Sequence, residues 1–381
     1  VEWSNYKGQS EYKILNLTST GGIEGQTANL TIYDDSDLGP VYTDKQITFY
    51  ANYTVSGSPI QGADCVINYH DGTSDDMIYN SGLYEVNRSY TNYDIYDWNV
   101  TCNRSGYSRL TTNDTVMISL SCGDIVNYDL TFSSDLINKT GGTTCPGNGL
   151  IVNSSEITID CNGYGITGPG SSVYGLGINN SGFDNITLKN CNIQGFNNFN
   201  GVGIFYKDTI NNNFSNINTT NNYKGFYLKN VNNSIFDSIY MNDIVHGFYI
   251  DLYYYENSFN NFEFYDCQGE FDLGAKNNFS NFYLNESNFI FSRSSYNDIN
   301  NLTIINNSIG WSVDISNSNN NNNFSNLTLI NNVRGIDLEG NNNALINIDV
   351  INTTYTGLAG EGTNNYYRDI LSKNNQQGIN I

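Results

Sequence analysis

A fixed beat of about 20 to 25 residues runs through the last two-thirds of this chain, and it constrains the fold more than any other feature. Its unit is apolar-x-Asn-apolar-x-apolar, as in Asn323-Phe324-Ser325-Asn326-Leu327-Thr328-Leu329-Ile330. Copies recur at Phe183 to Leu188, Phe214 to Ile217, Phe259 to Phe264, Phe279 to Leu284, Ile299 to Ile304 and Leu345 to Val350, with a degenerate one at Tyr367-Arg368-Asp369-Ile370. The central residues are Asn185, Asn216, Asn261, Asn281, Asn301, Asn326, Asn347 and Asp369, with Ser238 between the second and third. A glycine followed by apolar-x-apolar keeps the same time at Gly177, Gly203, Gly225, Gly247, Gly310, Gly335, Gly357 and Gly378. Between Gly247 and Gly310, Gly269 looks shifted by one residue and Asn288-Phe289-Ile290-Phe291 lacks the glycine.

Each unit holds two or three short alternating runs separated by Asn, Gly and Ser turns, with no helical period. That is one coil of a parallel β-helix. Alternation within a coil turns Phe226 and Leu228 inward and Tyr227 and Lys229 outward. The repeated Asn falls where odd spacing breaks the alternation, so it marks a corner. Asn tolerates the left-handed backbone that such a bend requires. Stacked corner asparagines are expected to point inward and to hydrogen-bond from rung to rung. With 67 Asn in 381 residues, abundance alone places Asn in many slots, but it does not explain the register.

A net charge of −22 and a pI near 4.1 exclude nucleic acid and anionic membranes as natural partners. No run of 18 apolar residues is present, so no transmembrane segment is expected. The chain carries no initiator Met and no signal peptide, and Val1 reads as a mature end left by cleavage or as the start of an excerpt. Asn-x-Ser/Thr sites number 21, against roughly 11 by chance, which favours a glycosylated exterior. The candidates are Asn16, Asn29, Asn52, Asn87, Asn99, Asn103, Asn113, Asn138, Asn153, Asn179, Asn213, Asn218, Asn232, Asn278, Asn285, Asn306, Asn323 and Asn352. Asn185, Asn301 and Asn326 also lie in such sites and are expected to be bare, because an inward Asn carries no glycan.

The chain reads as an all-β protein with four parts. Residues 1–20 form an N-terminal segment that could add a strand to the following sandwich or to another molecule. Residues 21–120 lack the beat and show longer alternating strands, with Cys65 and Cys102 on two of them. They look like an immunoglobulin-like β-sandwich acting as a spacer. The Tyr expected two residues before the second Cys is instead Val100, and Trp98 precedes that Cys. Residues 121–148 form a junction and N-terminal cap, and 149–381 form the β-helix, of about ten coils.

Cys122-Gly123-Asp124, Cys145, Gly149-Leu150-Ile151-Val152, Ile157-Thr158-Ile159-Asp160-Cys161-Asn162-Gly163, Ile166-Thr167-Gly168 and Asn185-Ile186-Thr187-Leu188-Lys189-Asn190-Cys191 resemble the right-handed parallel β-helix repeat proteins of archaeal cell surfaces. These belong to the broad pectate-lyase-like superfamily, which also holds a periplasmic copper-site-processing type. The resemblance covers roughly residues 121 to 381. It implies the architecture and, for activity, a range from surface-layer, filament and adhesin proteins to sugar lyases, hydrolases and epimerases.

Three disulfides are expected. Cys161 and Cys191 occupy equivalent slots in successive coils, about 4.8 Å apart. Cys122 and Cys145 could staple the cap, and Cys65 and Cys102 the sandwich. Cys267 is left over and reads as a small buried apolar residue. Six paired cysteines fit an oxidising exterior. The last coil stops at Gly378-Ile379-Asn380-Ile381 without a cap. Either the sequence is part of a longer chain or another molecule covers that edge, and head-to-tail stacking would then give a filament.

Two histidines restrict the chemistry. His70 falls in the sandwich and His246 reads as a turn residue. No zinc spacing or Ser/His/Asp set is present, so no catalytic residues and no cofactor are assigned. The pairs Asp34-Asp35 and Asp75-Asp76 lie outside the coils where lyase or hydrolase chemistry would sit. Counting four residues on from each glycine gives Asp314, Glu339 and Glu361 as an acidic column, either a solvated face or a Ca²⁺ site. The same count puts Lys229 beside Asp251. Phe205, Tyr227 and Tyr249 form an outward aromatic ladder, with Tyr253, Tyr254 and Tyr255 beyond it, and such a ladder suits a sugar, a partner or simple sheet stacking. The first reading is a non-catalytic, glycosylated extracellular structural protein, a repeating subunit of a cell-surface filament or layer with an adhesion role. Its partners would be other copies of itself and N-linked glycans. The alternative is a polysaccharide-binding or polysaccharide-cleaving β-helix, and a metal-handling role is disfavoured by two His and three Met.

Overall fold

The computed structural model describes residues 26–139, 142–251, 254–272, 274–292, 294–308, 310–315 and 319–380. The N-terminal segment 1–20, with Asn16, and Tyr253 lie outside the described residues. The chain is all-β and forms two compact units, Val1–Ser121 and Cys122–Ile381.

Among the described residues, the first unit is a sandwich of ten strands: β1 (Asn29–Asp34), β2 (Val41–Tyr42), β3 (Gln46–Val55), β4 (Ser58–Pro59), β5 (Asp64–Tyr69), β6 (Ser74–Asp76), β7 (Ile78–Asn80), β8 (Leu83–Ser89), β9 (Asp94–Asn103) and β10 (Leu110–Ser119). One sheet runs β1-β3-β8-β7 with β4 on β3, and the other runs β2-β10-β9-β5-β6. Alternate residues of β3 and β9 turn into one shared core. There Phe49 meets Trp98 and Tyr69 of the opposite sheet edge-on, at 4.9 and 5.8 Å between ring centroids. The Cys65–Cys102 disulfide forms as expected, but it joins directly opposed residues of β5 and β9, 4.0 Å apart at Cα. It therefore staples neighbours within one sheet, whereas the immunoglobulin pattern would pin the two sheets together.

The second unit is a right-handed-type parallel β-solenoid of about eleven turns, against about ten expected. Parallel pairing starts earlier than residue 149. Ile125 is already opposite Ile151, and Leu130 opposite Ile159, so part of the junction is a first coil. Cys122–Cys145 and Cys161–Cys191 are both bridged, the second across 4.8 Å at Cα, one rung apart.

From Asn211 onward each coil has three left-handed corners, with Asp208 and Asn230 as further left-handed residues on two long sides. In one coil these are Asn321, Asn326 and Asn331, at φ 58°, 57° and 55°. Two short sides of five residues and one long side, which contains Arg334–Leu338, close the loop. The corner column anticipated from the sequence is real at Asn216, Ser238, Asn261, Asn281, Asn301, Asn326, Asn347 and Asp369. Two expectations about it are corrected. First, Asn185 belongs to the preceding corner with Asn211, and Asn190 takes the slot below Asn216, because Thr187 pairs with Asn213. Second, the column points outward. Phe324 and Leu327 are both buried while Ser325 is half-buried and Asn326 exposed, so the corner places two successive residues outside. Asn185, Asn216, Asn261, Asn281, Asn301 and Asn347 are exposed as well. The rung-to-rung bonds do form on that outer surface, with Asn281 Nδ2 donating to Asn261 at 3.0 Å, Asn301 to Asn281 at 2.7 Å and Asn347 to Asn326 at 2.6 Å. Inward orientation therefore gives no reason for Asn185, Asn301 and Asn326 to be bare.

The inward ladder is a different set, one residue after another corner: Asn212, Ser234, Asn257, Asn277, Asn297, Asn322 and Asn343, all buried. From Ser234 onward each side-chain oxygen accepts the main-chain N–H of its counterpart one coil back, at 2.8 to 3.0 Å, and Asn212 Oδ1 accepts the Ile186 N–H at 3.1 Å. These N–H groups sit at a bend, outside the regular strand pairing, and would otherwise be buried without an acceptor. Cys267 occupies the analogous slot after a third corner, where other coils hold Asn222, Ser287, Asn307 and Asn332.

Apolar columns fill the interior between these polar lines. Phe214, Phe236, Phe259 and Phe279 stack face to face at 4.5 to 4.8 Å, as the rung spacing dictates. The glycine column is a line of close backbone approach. A Cβ on Gly203, Gly225 or Gly357 would lie 2.5 to 2.8 Å from the carbonyl oxygen of the next glycine up. Gly310 stands outside it, in an open turn at φ 63°. Trp311 pairs with Arg334 and Val313 with Ile336, so buried Ser312 holds the slot below Gly335.

Candidate functional site

The long side of each coil carries the outward positions with most chemistry. Its register runs Asn179, Phe205, Tyr227, Tyr249, Glu270, Ile290, Asp314, Asp337 and Ala359. One column is thus aromatic over three coils and acidic further along.

The aromatic ladder expected at Phe205, Tyr227 and Tyr249 is present. Successive rings meet edge to face at 5.3 and 5.2 Å, and all three are half-buried. Side chains that the sequence reading passed over complete the patch. Lys224 Nζ lies 4.5 Å from the Tyr227 ring centre and 4.6 Å from that of Tyr249, close enough for cation–π attraction. Tyr223 packs against Phe199, which is 71% exposed, at 5.2 Å. His246 is no turn residue: it lies in the strand Ile235–Asp251, pairs with Lys224 and packs edge-on against Tyr223 and Tyr249, each at 5.5 Å. Burial, then the Lys224 ammonium, holds the imidazole below its ordinary pKa. The Glu270 carboxylate, 3.7 Å from Nδ1, is too far for a hydrogen bond. A neutral ring at pH 7 follows. The signal for these partners was in the chain: Lys224 and His246 each directly precede a glycine of the beat.

Three lysines stand on this side in a protein with only 16 basic residues. Lys207 lies opposite Lys229 in the register, and Lys229 opposite Asp251, the second pairing as expected. Lys207 also contacts Asp208 at 3.6 Å, an exposed pair of small value.

The acidic column is reordered. Asp314 stands opposite Asp337, not Glu339, because Ser312 rather than Gly310 sets the register. Burial, then the charges of Asp314, Glu339 and Glu361, pushes the Asp337 carboxyl up to about 6. Burial, then Glu339, also raises Asp314. Among the described residues, the group of three or more potential ligands whose atoms converge within 4.8 Å is Asp34, Asp37 and Asp114; Asp314, Glu339 and Glu361, weighed as a solvated face or a Ca²⁺ site, do not form such a group.

Of the glycosylation candidates within the described residues, none is buried. Asn29, Asn87, Asn103, Asn113, Asn153, Asn213, Asn278, Asn306 and Asn352 are exposed, and the others are half-buried.

No protein-family model matches this chain, and no curated protein matches it. Among solved structures it is similar to an alginate lyase from Paenibacillus sp. str. FPU-7, with 12% identity over 62% of this chain and 93% of that one, at a TM-score of 0.38. It is also similar to the catalytic domain of a GH87 alpha-1,3-glucanase, with 12% identity over 93% of this chain and 88% of that one, at a TM-score of 0.30. At these TM-scores neither likeness bears on the chemistry of the face described above.

Proposed function

We propose that this protein is an extracellular polysaccharide-binding solenoid whose sugar-contacting surface is the long side around Phe205, Tyr227 and Tyr249. The observation that carries this is the joining of an aromatic row with a lysine: Lys224 stands over Tyr227 and Tyr249, and exposed Phe199 extends the apolar surface through Tyr223. Aromatic faces stack on pyranose rings, and an ammonium beside them pairs with carboxylates on the sugar. Local lysines in an otherwise acidic protein favour chains that carry uronate groups. Three disulfides support an oxidising exterior. Among the described residues no helix is long and apolar enough to cross a membrane.

A cleaving enzyme is the second reading, and a specific observation favours it: a neutral imidazole, His246, packs against Tyr249 with Glu270 nearby. Neutral imidazole can take a proton from a sugar carbon next to a carboxylate; the electron pair left behind forms a C=C bond as the glycosidic C–O bond on the neighbouring carbon breaks, and solvent water protonates the departing oxygen. The repeating-filament reading rested on the chain ends and on the lack of a catalytic constellation, and it gains no support from the described residues.

Retention of the full chain in gels containing neutral or uronate polysaccharides tests the proposal. Tyr227→Ala with Tyr249→Ala, and separately Lys224→Ala, are expected to lower affinity about tenfold, on the scale of one or two lost ring or charge contacts. Retention by no polysaccharide, or equal retention by wild type and variants, would refute it. Release of unsaturated sugar ends by wild type and not by His246→Ala would establish the second reading.

A further inference from the structure

The sandwich holds a cluster that has no part in the sugar face. Asp34 ends β1, Asp37 lies in the single 3-10 turn that follows, and Asp114 lies in the middle of β10. β1 and β10 belong to opposite sheets. One carboxylate oxygen from each of the three lies within 4.8 Å of the others. Asp34 is fully buried, at 0% exposure, and its Oδ2 is buried with no hydrogen-bond partner. Its Oδ1 accepts the Ser36 N–H at 2.7 Å, so the Oδ2 lone pairs are what remain. Asp37 Oδ2 accepts the Asp34 N–H at 3.1 Å and leaves Oδ1 available. Asp35, although adjacent, is committed elsewhere: its carboxylate accepts from the Thr48 N–H and the Tyr50 hydroxyl.

A buried carboxylate with one oxygen left unpartnered costs stability, and the charges that Asp34 feels are those of Asp37 and Asp114, both of the same sign. Three carboxylates thus converge from two sheets. Asp37 is exposed, so hydrated ions can reach the cluster from its side.

We propose that Asp34, Asp37 and Asp114 form a Ca²⁺ site that ties the two sheets of the sandwich together. All three donors are hard oxygens, with no nitrogen or sulfur among them, which selects Ca²⁺ or Mg²⁺ over transition metals. A set of three carboxylates with the remaining positions left to water suits the looser geometry of Ca²⁺, and an affinity of about 10⁻⁴ to 10⁻³ M, the range of extracellular modules. The ion would neutralise the orphaned Asp34 oxygen and reinforce the existing link between the Met117 N–H and the Ser36 hydroxyl, 3.3 Å apart.

Calorimetric titration of the full chain with CaCl₂, together with melting in Ca²⁺ and in EDTA, tests the site. Wild type is expected to bind Ca²⁺ and to melt several degrees higher with it. Asp37→Asn and Asp114→Asn should each weaken binding tenfold or more and abolish the melting shift, while Asp314→Asn with Asp337→Asn leaves both intact. Asp37 is exposed, so Asp37→Asn decides the question even if Asp114→Asn does not fold. Absence of binding at about 10 mM Ca²⁺, well above the expected range, would overturn the proposal. So would wild-type affinity in Asp37→Asn, or loss of binding only in the Asp314 and Asp337 variant.

Discussion

Asn257 and Asn277 stand one coil apart, and Oδ1 of Asn277 accepts the main-chain N–H of Asn257 at 2.9 Å. The Asn277 amide in turn donates to Asn297 Oδ1 at 3.0 Å, so each member both satisfies a buried donor and passes the pattern on. The buried polar line is part of the core and not a defect in it.

Removing one link should therefore cost more than removing a member of the outer ladder. Asn277→Ala orphans the Asn257 N–H and is expected to destabilise the solenoid by about 1–3 kcal/mol. Asn281→Ala, on the exposed column, should cost less than about 1 kcal/mol beyond its corner preference. Chemical denaturation of both variants checks the ordering, and equal losses would contradict it.

Backbone contact along the glycine column predicts intolerance to a single methyl group. In Gly225→Ala the new Cβ would sit 2.5 Å from the Gly247 carbonyl oxygen and 3.1 Å from Thr219 Oγ1. Neither the carbonyl nor the rung can move without its neighbours, so a loss of about 1–3 kcal/mol or more is expected. Gly39→Ala, with nothing within 4 Å of its Cβ, serves as the neutral control. Melting temperatures separate the two.

Cys267 should be inert in the folded protein. It is buried, and burial pushes its thiol up to about 12, so almost no thiolate exists at pH 8. Iodoacetamide at pH 8 is expected to leave native protein unmodified and to alkylate this one residue after denaturation without reductant, as mass spectrometry will show. Rapid native labelling would mean that the coil opens there.

The pH response of the acidic column has a definite sign. Asp337 has a folded-state pKa near 6, above the ordinary carboxylate value, because of burial and its acidic neighbours. The folded state then holds its proton more tightly than the unfolded state does. Stability from this group is full below about pH 4 and is lost as pH rises through 6. Asp337→Asn should raise the melting temperature at pH 7.5 and leave it nearly unchanged at pH 4. A shift of equal size at both pH values would show that packing, not charge, is responsible.

The sequence by itself determined the period, the alternation of side chains along the straight runs and one of the three columns of left-handed corners. It also determined the Cys161–Cys191 bridge and the aromatic row of Phe205, Tyr227 and Tyr249. All of these are local or follow from a constant rung spacing, because two-residue alternation and corner chemistry are written residue by residue. Tertiary structure alone decided which residue stands over which when turn lengths differ. Ser312 replaced Gly310, Asn190 replaced Asn185, and Asp337 came to lie beside Asp314. It also decided which way the corner column faces, and it brought Lys224 and His246 to the tyrosines and Asp114 to Asp34. Pairing between coils, and between sheets, is a contact across 20 or more residues of chain, and only closing the main-chain hydrogen bonds fixes it.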